Sequence, residues 1–323
     1  MFELILDNRD GVLWDISRIV TNVKYKTSRV GKASSLEMTF LKNSPFAHHD
    51  FKYACGDVIR FKKDEANLFY GYIFSIDEDD EDAVRVIAYD QIRYLMGNET
   101  YGFVNLTATQ MIKKIIEDNE LTVGFFTDTK HVIPKFLEDN KRILDIICKI
   151  LDDTMMATSD LYVFYDDFGK LTLQHIMDMI LDVVIGDKSL LYAYKSKTSI
   201  DNETYNRIKL YKDNKETGKR EIFINQDSST IAKWGRLQYY QSVDEKMNIA
   251  QINTSLNNLL KLKNRESRSM SLDALGDSRI RAGNSIYLII EEKGIKGRFV
   301  VNECTHNFNG DEHTMSLELV VFG

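Results

Sequence analysis

Apolar and polar residues alternate with a period of two through much of the first hundred residues. The clearest stretches are residues 20–26 and 35–40, and the pattern continues through residues 56–62, 69–76 and 84–90. Successive side chains of a strand point to opposite faces, so this alternation predicts strands that bury one face. The first hundred residues are therefore predicted to be almost wholly β.

An uninterrupted acidic run occupies positions 77–82, between the last two of these predicted strands. Adjacent carboxylates repel one another unless water or a cation separates them, so we interpret the run as a solvated hairpin loop. A calcium site is the alternative interpretation, but the glycine and the distal glutamate of an EF-hand loop are missing.

Helical spacing begins after about residue 101. Thr107 and Gln110 match a capping box at a helix start, and isoleucines follow three and four residues apart. A second apolar stripe consists of Ile143, Ile146, Ile147, Ile150 and Leu151. Residues 161–165 and 170–173 then match a hairpin. These patterns predict a helix-plus-hairpin α/β domain, inserted at residues 101–197.

Strand character returns at residues 204–211 and 221–224. Ser242 and Glu245 match another capping box, and an apolar stripe follows it to about Asn264. We therefore expect a helix at about 244–264 that lays one apolar face on a sheet. Residues 268–275 alternate again.

Two hairpins more than two hundred residues apart resemble each other. Four stretches match in order, with residues 34–41, 56–62, 69–77 and 84–90 corresponding to 268–275, 283–290, 297–303 and 313–321. Gly56 and Gly283 each precede Asp or Asn, as in turns that need positive φ. Gly71 and Gly297 fall near the start of the returning strand, where a bulge or a close backbone approach is expected.

One interpretation of this likeness is that glycine-bounded hairpins recur by chance in β-rich chains. The more specific interpretation is a duplicated barrel. Closing a small antiparallel sheet removes its exposed pairing edges, so each of two such barrels would be stable alone. We predict an α+β, predominantly β chain with two similar antiparallel β-barrel domains. The first covers residues 1–100, completed by strands from 198–240, and the second covers 241–323 with the helix packed on it. The α/β domain at 101–197 is the insertion.

Composition limits the classes of partner. The chain has 323 residues, which favours two or three domains, and its 42 Lys and Arg against 49 Asp and Glu give a net charge of −7. No basic stripe is present, so specific nucleic-acid binding is not expected.

The three cysteines lack paired spacing, which predicts neither disulfides nor zinc. No signal peptide or membrane span is recognisable, so we expect synthesis in a reducing cytosol and, if the protein leaves the cell, release by lysis or together with another protein.

Catalytic motifs are not found in the sequence. Residues 30–34 resemble part of a phosphate-binding loop, but Lys26 stands where its first glycine is needed. The best metal candidates are His306, Asp311 and His313, yet the Asn309-Gly310 hairpin signal explains that segment without a metal. We therefore predict no catalytic residues, no cofactor and no metal.

The order of parts nevertheless resembles a known family. A β region ends at residues 88–95, a Thr-capped helix opens an inserted domain, residues 229–238 precede a long helix, and a second β region contains residues 276–283. This arrangement resembles the baseplate hub proteins of contractile phage tails and phage-tail-like bacteriocins, in particular the PBSX-type prophage branch. The likeness spans nearly the whole chain, and its motifs are structural.

The resemblance implies a structural homotrimer at the tip of the tail tube. Two barrels in each of three subunits would form a ring with pseudo-sixfold symmetry between a hexameric tube and a trimeric spike. The implied partners are the tail tube protein, the spike protein and a LysM-bearing or peptidoglycan-cleaving tail protein, with no membrane. The parent particle could be a phage or a headless bacteriocin.

Two other functions stay open at this point. A cell-wall hydrolase could use acids such as Asp166 or Asp311 in a cleft between domains. A carbohydrate-binding or receptor-binding module could instead use the barrels at the tail surface.

Overall fold

The computed structural model describes residues 2–78, 80, 82–201, 203–214 and 218–321. Strands make up 51% of the structure and helices 20%. The predicted α+β, predominantly β class is therefore confirmed. Among the described residues, no strand pair closes either predicted barrel on itself.

The first β region consists of seven strands that share one apolar core. These are β1 (Phe2–Asp7), β2 (Leu13–Asp15), β3 (Val20–Ser28), β4 (Ser35–Leu41), β5 (Val58–Lys63), β6 (Ala66–Glu78) and β7 (Ala83–Tyr89). They pair in the order β3-β4-β7-β6-β5-β1-β2. Alternate residues, such as Leu36, Met38 and Phe40, are buried, as the period-two pattern predicts.

The inserted part follows a short 3₁₀ helix at Gln91–Met96. Its elements are β8 (Asn98–Thr107), α1 (Ala108–Asp118), β9 (Val123–Phe126), β10 (Val132–Arg142), α2 (Ile143–Thr158), β11 (Tyr162–Asp166) and β12 (Leu171–His175). The Thr107–Gln110 capping box forms as predicted. The isoleucine stripes of α1 and α2 pack into one core with Leu171 and Leu173 of the hairpin.

The segment after His175 departs from the predicted insertion. A 3₁₀ helix at Ile176–Met179 leads to β13 (Ile180–Gly186) and β14 (Leu191–Ser199). β13 pairs with a strand at 285–290 and β14 with a strand at 267–275. Residues 180–199, expected to lie in the insertion, therefore extend the later β sheet, because their backbone groups find partners there.

A small separate unit follows. It contains β15 (Arg207–Asn214), β16 (Lys219–Gln226), α3 (Ser228–Trp234), β17 (Gln238–Ser242) and α4 (Ile249–Lys263). Its strands pair with one another in the order β16-β15-β17. The expectation that strands from 198–240 complete the first barrel is therefore wrong.

Helix α4 also differs from its prediction. Its apolar side chains, among them Ile252 and Leu256, pack with Ile208 and Leu210 of β15, so the helix covers the small sheet instead of a second barrel. Asn248 and Gln251 form its capping box, not Ser242 and Glu245. Both pairs fit the sequence rule, and the pair adjacent to the continuous apolar stripe forms the helix start.

The second β region completes the chain with β18 (Ser267–Leu275), β19 (Ser285–Ile290), a 3₁₀ turn at Glu291–Lys293, β20 (Ile295–Asn309) and β21 (Glu312–Val320). These strands pair in the order β18-β21-β20-β19. The corresponding strands of the first region pair in the order β4-β7-β6-β5. The four-strand repeat predicted from sequence therefore has one pairing order in both copies.

The repeat extends to individual hydrogen bonds at the entry to its second strand. Gly56 has φ of 94° and its N–H donates to the Ile73 carbonyl at 2.8 Å; Gly283 has φ of 96° and its N–H donates to the Val301 carbonyl at 2.8 Å. Both copies also carry a register shift directly after this point, between Ile73 and Ser75 and between Val301 and Glu303. Glycine is required in both copies because the turn needs positive φ.

The second pair of glycines is not equivalent. Gly71 lies opposite Ile59, whereas Gly297 lies opposite Leu288, two positions nearer the hairpin turn. A Cβ on Gly71 would lie 2.3 Å from the Tyr89 carbonyl oxygen, and a Cβ on Gly297 would meet nothing within 4 Å. The predicted correspondence of Gly71 with Gly297 is therefore wrong, and only Gly71 marks a close backbone approach.

These contacts predict different costs for two identical substitutions. Gly71→Ala should destabilise the fold by about 1–3 kcal/mol, because a backbone oxygen must move away from the added methyl group. Gly297→Ala is the matched control and should change stability by less than about 0.5 kcal/mol. Urea unfolding of both variants measures the difference. Equal losses would contradict the close approach at Gly71.

Candidate assembly interface

The two β regions are joined directly by a strand pair. β20 runs antiparallel to β3, with Glu303 opposite Ser28 and Phe308 opposite Val23. This pairing makes one 13-stranded sheet from both regions. Phe308 belongs to the core of the first β region, where its ring centroid lies 5.0 Å from that of Phe61. The joint therefore combines backbone pairing with apolar burial.

Polar contacts fix the insertion against the same joint. The buried N–H of Ala282 donates to Thr27 Oγ1 at 2.9 Å. The Arg281 guanidinium lies 3.9 Å from the centre of the Tyr165 ring and donates to the Asp166 carbonyl at 3.2 Å. Cation–π contacts gain strength when they are shielded from water. The first region, the insertion and the second region thus meet at one buried point.

Two carboxyl groups are buried near this point. Asp90 accepts the backbone N–H groups of Ser34 and Ile92, at 2.9 and 3.0 Å. Asp166 accepts the Gly169 N–H at 2.6 Å and the Gln91 side-chain amide at 3.2 Å. Burial raises the pKa of both carboxyls, and the charge of Asp166 raises that of Asp90 further. The bond from Gln91 to Asp166 connects the end of the first β region to the insertion, whereas Asp90 is bonded at the end of the first β region itself.

The structure brings His306 and His313 together but leaves Asp311 exposed in the hairpin turn. His306 Nε2 lies 2.8 Å from the Ile280 carbonyl, and its Nδ1 lies 2.9 Å from His313 Nε2. We therefore assign the proton of His306 to Nε2, so that Nδ1 accepts from His313. Within the described ranges, the one metal-like group is exposed, at His48, His49 and Asp50. The histidine pair serves as a hydrogen-bonded strut inside the sheet.

Several strand edges of the described sheet lack a second partner, among them the outer edges of β2 and β13, and two others, in β14 and β6, matter for assembly. β14 pairs along one edge with β18 and has no second neighbour in the sheet order. In β6, residues 75–78 pair with β7, while β5 reaches only as far as Tyr72. Edge strands present unpaired N–H and C=O groups, and these groups readily pair with another chain. Neither edge was predicted from the sequence.

A sequence signal for one of these edges does exist. Residues 23–28 read VKYKTS and residues 194–199 read YKSKTS. Lys26 lies opposite Ser35 in β4, and Lys197 lies opposite Ser269, the counterpart of Ser35 in β18. β14 is thus the counterpart of β3. The small unit separates β14 from β18 in the sequence, so the second copy of the repeat is not contiguous.

The fold defines the class of protein. The chain superposes on the tail protein from Neisseria meningitidis MC58 with a TM-score of 0.74 and 10% identity, covering 100% of this chain and 97% of that one. The 43 kDa tail protein of prophage MuSo2 from Shewanella oneidensis gives a TM-score of 0.72 and 11% identity, with 98% of each chain covered. The fold is that of phage tail proteins.

The chain belongs to the YQBQ-like family, which matches residues 23–320. It is 33% identical over 270 residues to the phage-like element PBSX protein XkdQ of Bacillus subtilis strain 168, covering 82% of this chain and 81% of the relative. The resemblance to the PBSX-type prophage branch is confirmed. Among the described helices, none has the length and apolar character needed to cross a bilayer.

The histidine strut predicts a loss of stability in acid. Burial lowers the pKa of His306, and burial together with the charge of His306 lowers the pKa of His313 to about 4. An unfolded histidine takes up a proton near pH 6.5, so this contribution to stability is complete above that pH and falls as pH drops toward 4. The buried carboxyls act oppositely, because their raised pKa makes stability fall as pH rises.

We therefore expect His313→Gln to lessen the drop in melting temperature between pH 6.5 and pH 4.5, since glutamine does not take up the proton. The matched control is His49→Gln, at a histidine whose side chain is 82% exposed. Thermal unfolding across this pH range measures both. An unchanged pH slope for His313→Gln would contradict the role of the strut.

Proposed function

We propose that this protein is the baseplate hub of a contractile injection particle. Three copies form a ring with pseudo-sixfold symmetry that joins a hexameric tail tube to a trimeric spike. The observation that carries the proposal is the internal repeat, since both β regions share one strand order, one register shift and one glycine turn. Family membership and the tail-protein fold support it.

The repeat matters because of symmetry. A ring of three identical chains offers three equivalent surfaces, and a hexameric tube needs six. Two similar β regions in each chain supply six, while the insertion and the small unit occur only once per chain and keep threefold symmetry. A spike with three chains can then bind the threefold end. Duplication thus adapts one symmetry to the other.

The proposed role is mechanical, and the acids named for a wall hydrolase are poorly placed for catalysis. Asp166 is 6% exposed and hydrogen-bonded inside the joint, and Asp311 lies exposed in a hairpin turn. A cavity of about 1000 Å³ lies between the insertion and the small unit, and neither acid lines it. Opposed carboxylates around a substrate are what glycoside hydrolysis needs. No observation favours the carbohydrate-binding or receptor-binding alternative.

The proposal includes the life history of the particle. The chain is made in the bacterial cytoplasm and assembles with the tail tube protein and the spike protein. A LysM-bearing or peptidoglycan-cleaving tail protein works beside it, and lysis releases the finished phage tail or bacteriocin. A net charge of −7 agrees with a ring that does not hold nucleic acid by phosphate contacts.

We expect the purified protein to sediment at about three times its chain mass of 37.4 kDa. Negative-stain images should show rings with six similar lobes, and tube and spike proteins should co-purify with them. Analytical ultracentrifugation and imaging test this directly. A protein that stays monomeric at high concentration and with those partners present is not a hub. Clearing of a cell-wall suspension by the pure protein would instead support the hydrolase.

A further inference from the structure

We infer that the ring closes by strand pairing between subunits, with residues 196–199 of β14 running antiparallel to residues 75–78 of β6 in a second copy of this chain. The inference rests on the proposed trimer and names the surface that builds it. Both segments are unpaired edges of the described sheet, and unlike the other unpaired edges, at β2 and β13, they occupy the positions that correspond to the paired strands β3 and β20. Each subunit carries one edge of each kind, so three copies can close a ring.

The joint within the chain supplies the template. β20 pairs with β3 inside one subunit. The repeat makes β6 the counterpart of β20 and β14 the counterpart of β3. If six similar units form the ring, the joint between subunits repeats the joint within a subunit, with β6 in the place of β20 and β14 in the place of β3.

The template also fixes the register. Glu303 lies opposite Ser28 and His306 opposite Tyr25 in the internal joint. The shared glycine turn makes Ser75 the counterpart of Glu303, and the shared pairing with the next strand makes Ser199 the counterpart of Ser28. The pairs between subunits are therefore Ser75 with Ser199, Ile76 with Thr198, Asp77 with Lys197, and Glu78 with Ser196.

The segment that precedes each glycine turn does not block the β6 edge. Tyr53 Oη donates to Glu78 Oε1 at 2.8 Å, and its counterpart Ile280 accepts from His306, the counterpart of Glu78, at 2.8 Å. The equivalent positions are thus also in contact in the second copy, through a backbone carbonyl instead of a tyrosine hydroxyl, and β3 still pairs beside them. A contact at these positions therefore leaves room for a paired strand.

Charge complementarity is an independent argument. Asp77 would face Lys197 directly, in the middle of the pairing. The corresponding lysine of the internal joint, Lys26, makes an ion pair of 2.7 Å with Glu303 across the same two strands. Lysine on an edge strand also discourages pairing with uncharged edges. The acidic run at the end of β6 therefore selects the basic edge of β14.

The side chains of β14 are less buried than those of β3, as expected if β14 pairs with a strand that only a second copy supplies. In β3, residues Val23, Tyr25 and Thr27 are buried beside β20. Their counterparts in β14 are Tyr194, Ser196 and Thr198, of which the last two are exposed and Tyr194 is half-buried. Residues 195–198 of β14 are thus exposed on both faces in the single chain. A second copy would cover them.

Cysteine cross-linking tests the register. Glu78→Cys with Ser196→Cys places two thiols directly opposite each other between subunits, at a separation of about 4.5–5.5 Å between Cβ atoms, close to what a disulfide needs. The background carries Cys55→Ser, because Cys55 is an exposed thiol. The matched control is Glu78→Cys with Lys197→Cys, since a shift of one residue points the side chains to opposite faces.

Under oxidation, the first pair should give covalently linked chains up to the trimer on a non-reducing gel, and the control pair should give few. A trimer in solution that does not cross-link through the first pair, or that links better through the control pair, overturns this edge pairing and leaves the trimeric hub intact. A protein that is monomeric under all conditions overturns both.

Charge reversal gives a second test that does not depend on thiols. Lys197→Glu and Asp77→Lys should each weaken trimer formation about tenfold or more, because like charges then face each other. The double variant should recover most of the loss, because every joint then has the opposite pair in exchanged positions. Lys114→Glu, on the exposed side of α1, is the control and should have no effect. Failure of the double variant to recover, while each single variant weakens assembly, would refute the direct Asp77–Lys197 contact.

Discussion

The antiparallel pairing of β20 with β3 is the interaction on which the architecture depends. It connects two strands nearly three hundred residues apart and turns two β regions into one sheet. Strand pairing fixes both spacing and direction, because a slip of one residue would move every buried side chain to the other face. Cys304, His306 and Phe308 are all buried along this joint, so the register has one favourable value. The relative position of the two regions follows from that register.

Buried polar groups give the joint a second level of specificity. Three hydrogen bonds join different parts of the chain: Gln91 to the Asp166 carboxylate, Arg281 to the Asp166 carbonyl, and the Ala282 N–H to Thr27. A buried polar group left without a partner costs about 1–3 kcal/mol, so an arrangement that separates these parts is penalised. Apolar packing alone would tolerate small rotations between the parts. The polar contacts do not, because hydrogen bonds need aligned partners.

The sequence predicts local elements well and connections between distant strands poorly. Positive φ at Gly56 and Gly283, the Thr107 cap and the isoleucine stripes of α1 and α2 all follow from short-range rules. The pairing of residues 180–199 with the second β region does not, because alternation marks a strand and leaves its partner open. The β14 counterpart of β3 was visible as a shared KxKTS pattern, but the small unit interrupts the second copy before β18. Similar spacing predicts that Gly71 corresponds to Gly297, but the strand pairing of the two hairpins shows that these glycines occupy different positions.

The places where the two copies differ correspond to what each joint must do. The joint within the chain is permanent, so it can use Phe308 at the end of a long β20 to fill the core of the first region. β6 is shorter, and its counterpart of Phe308 is Asp80, within an acidic run. Strand edges that pair only on assembly are exposed in the free subunit, and exposed apolar edges favour aggregation. In the proposed ring, all six joints therefore share one backbone geometry. Apolar burial stabilises the three joints within subunits, and opposite charges stabilise the three joints between subunits.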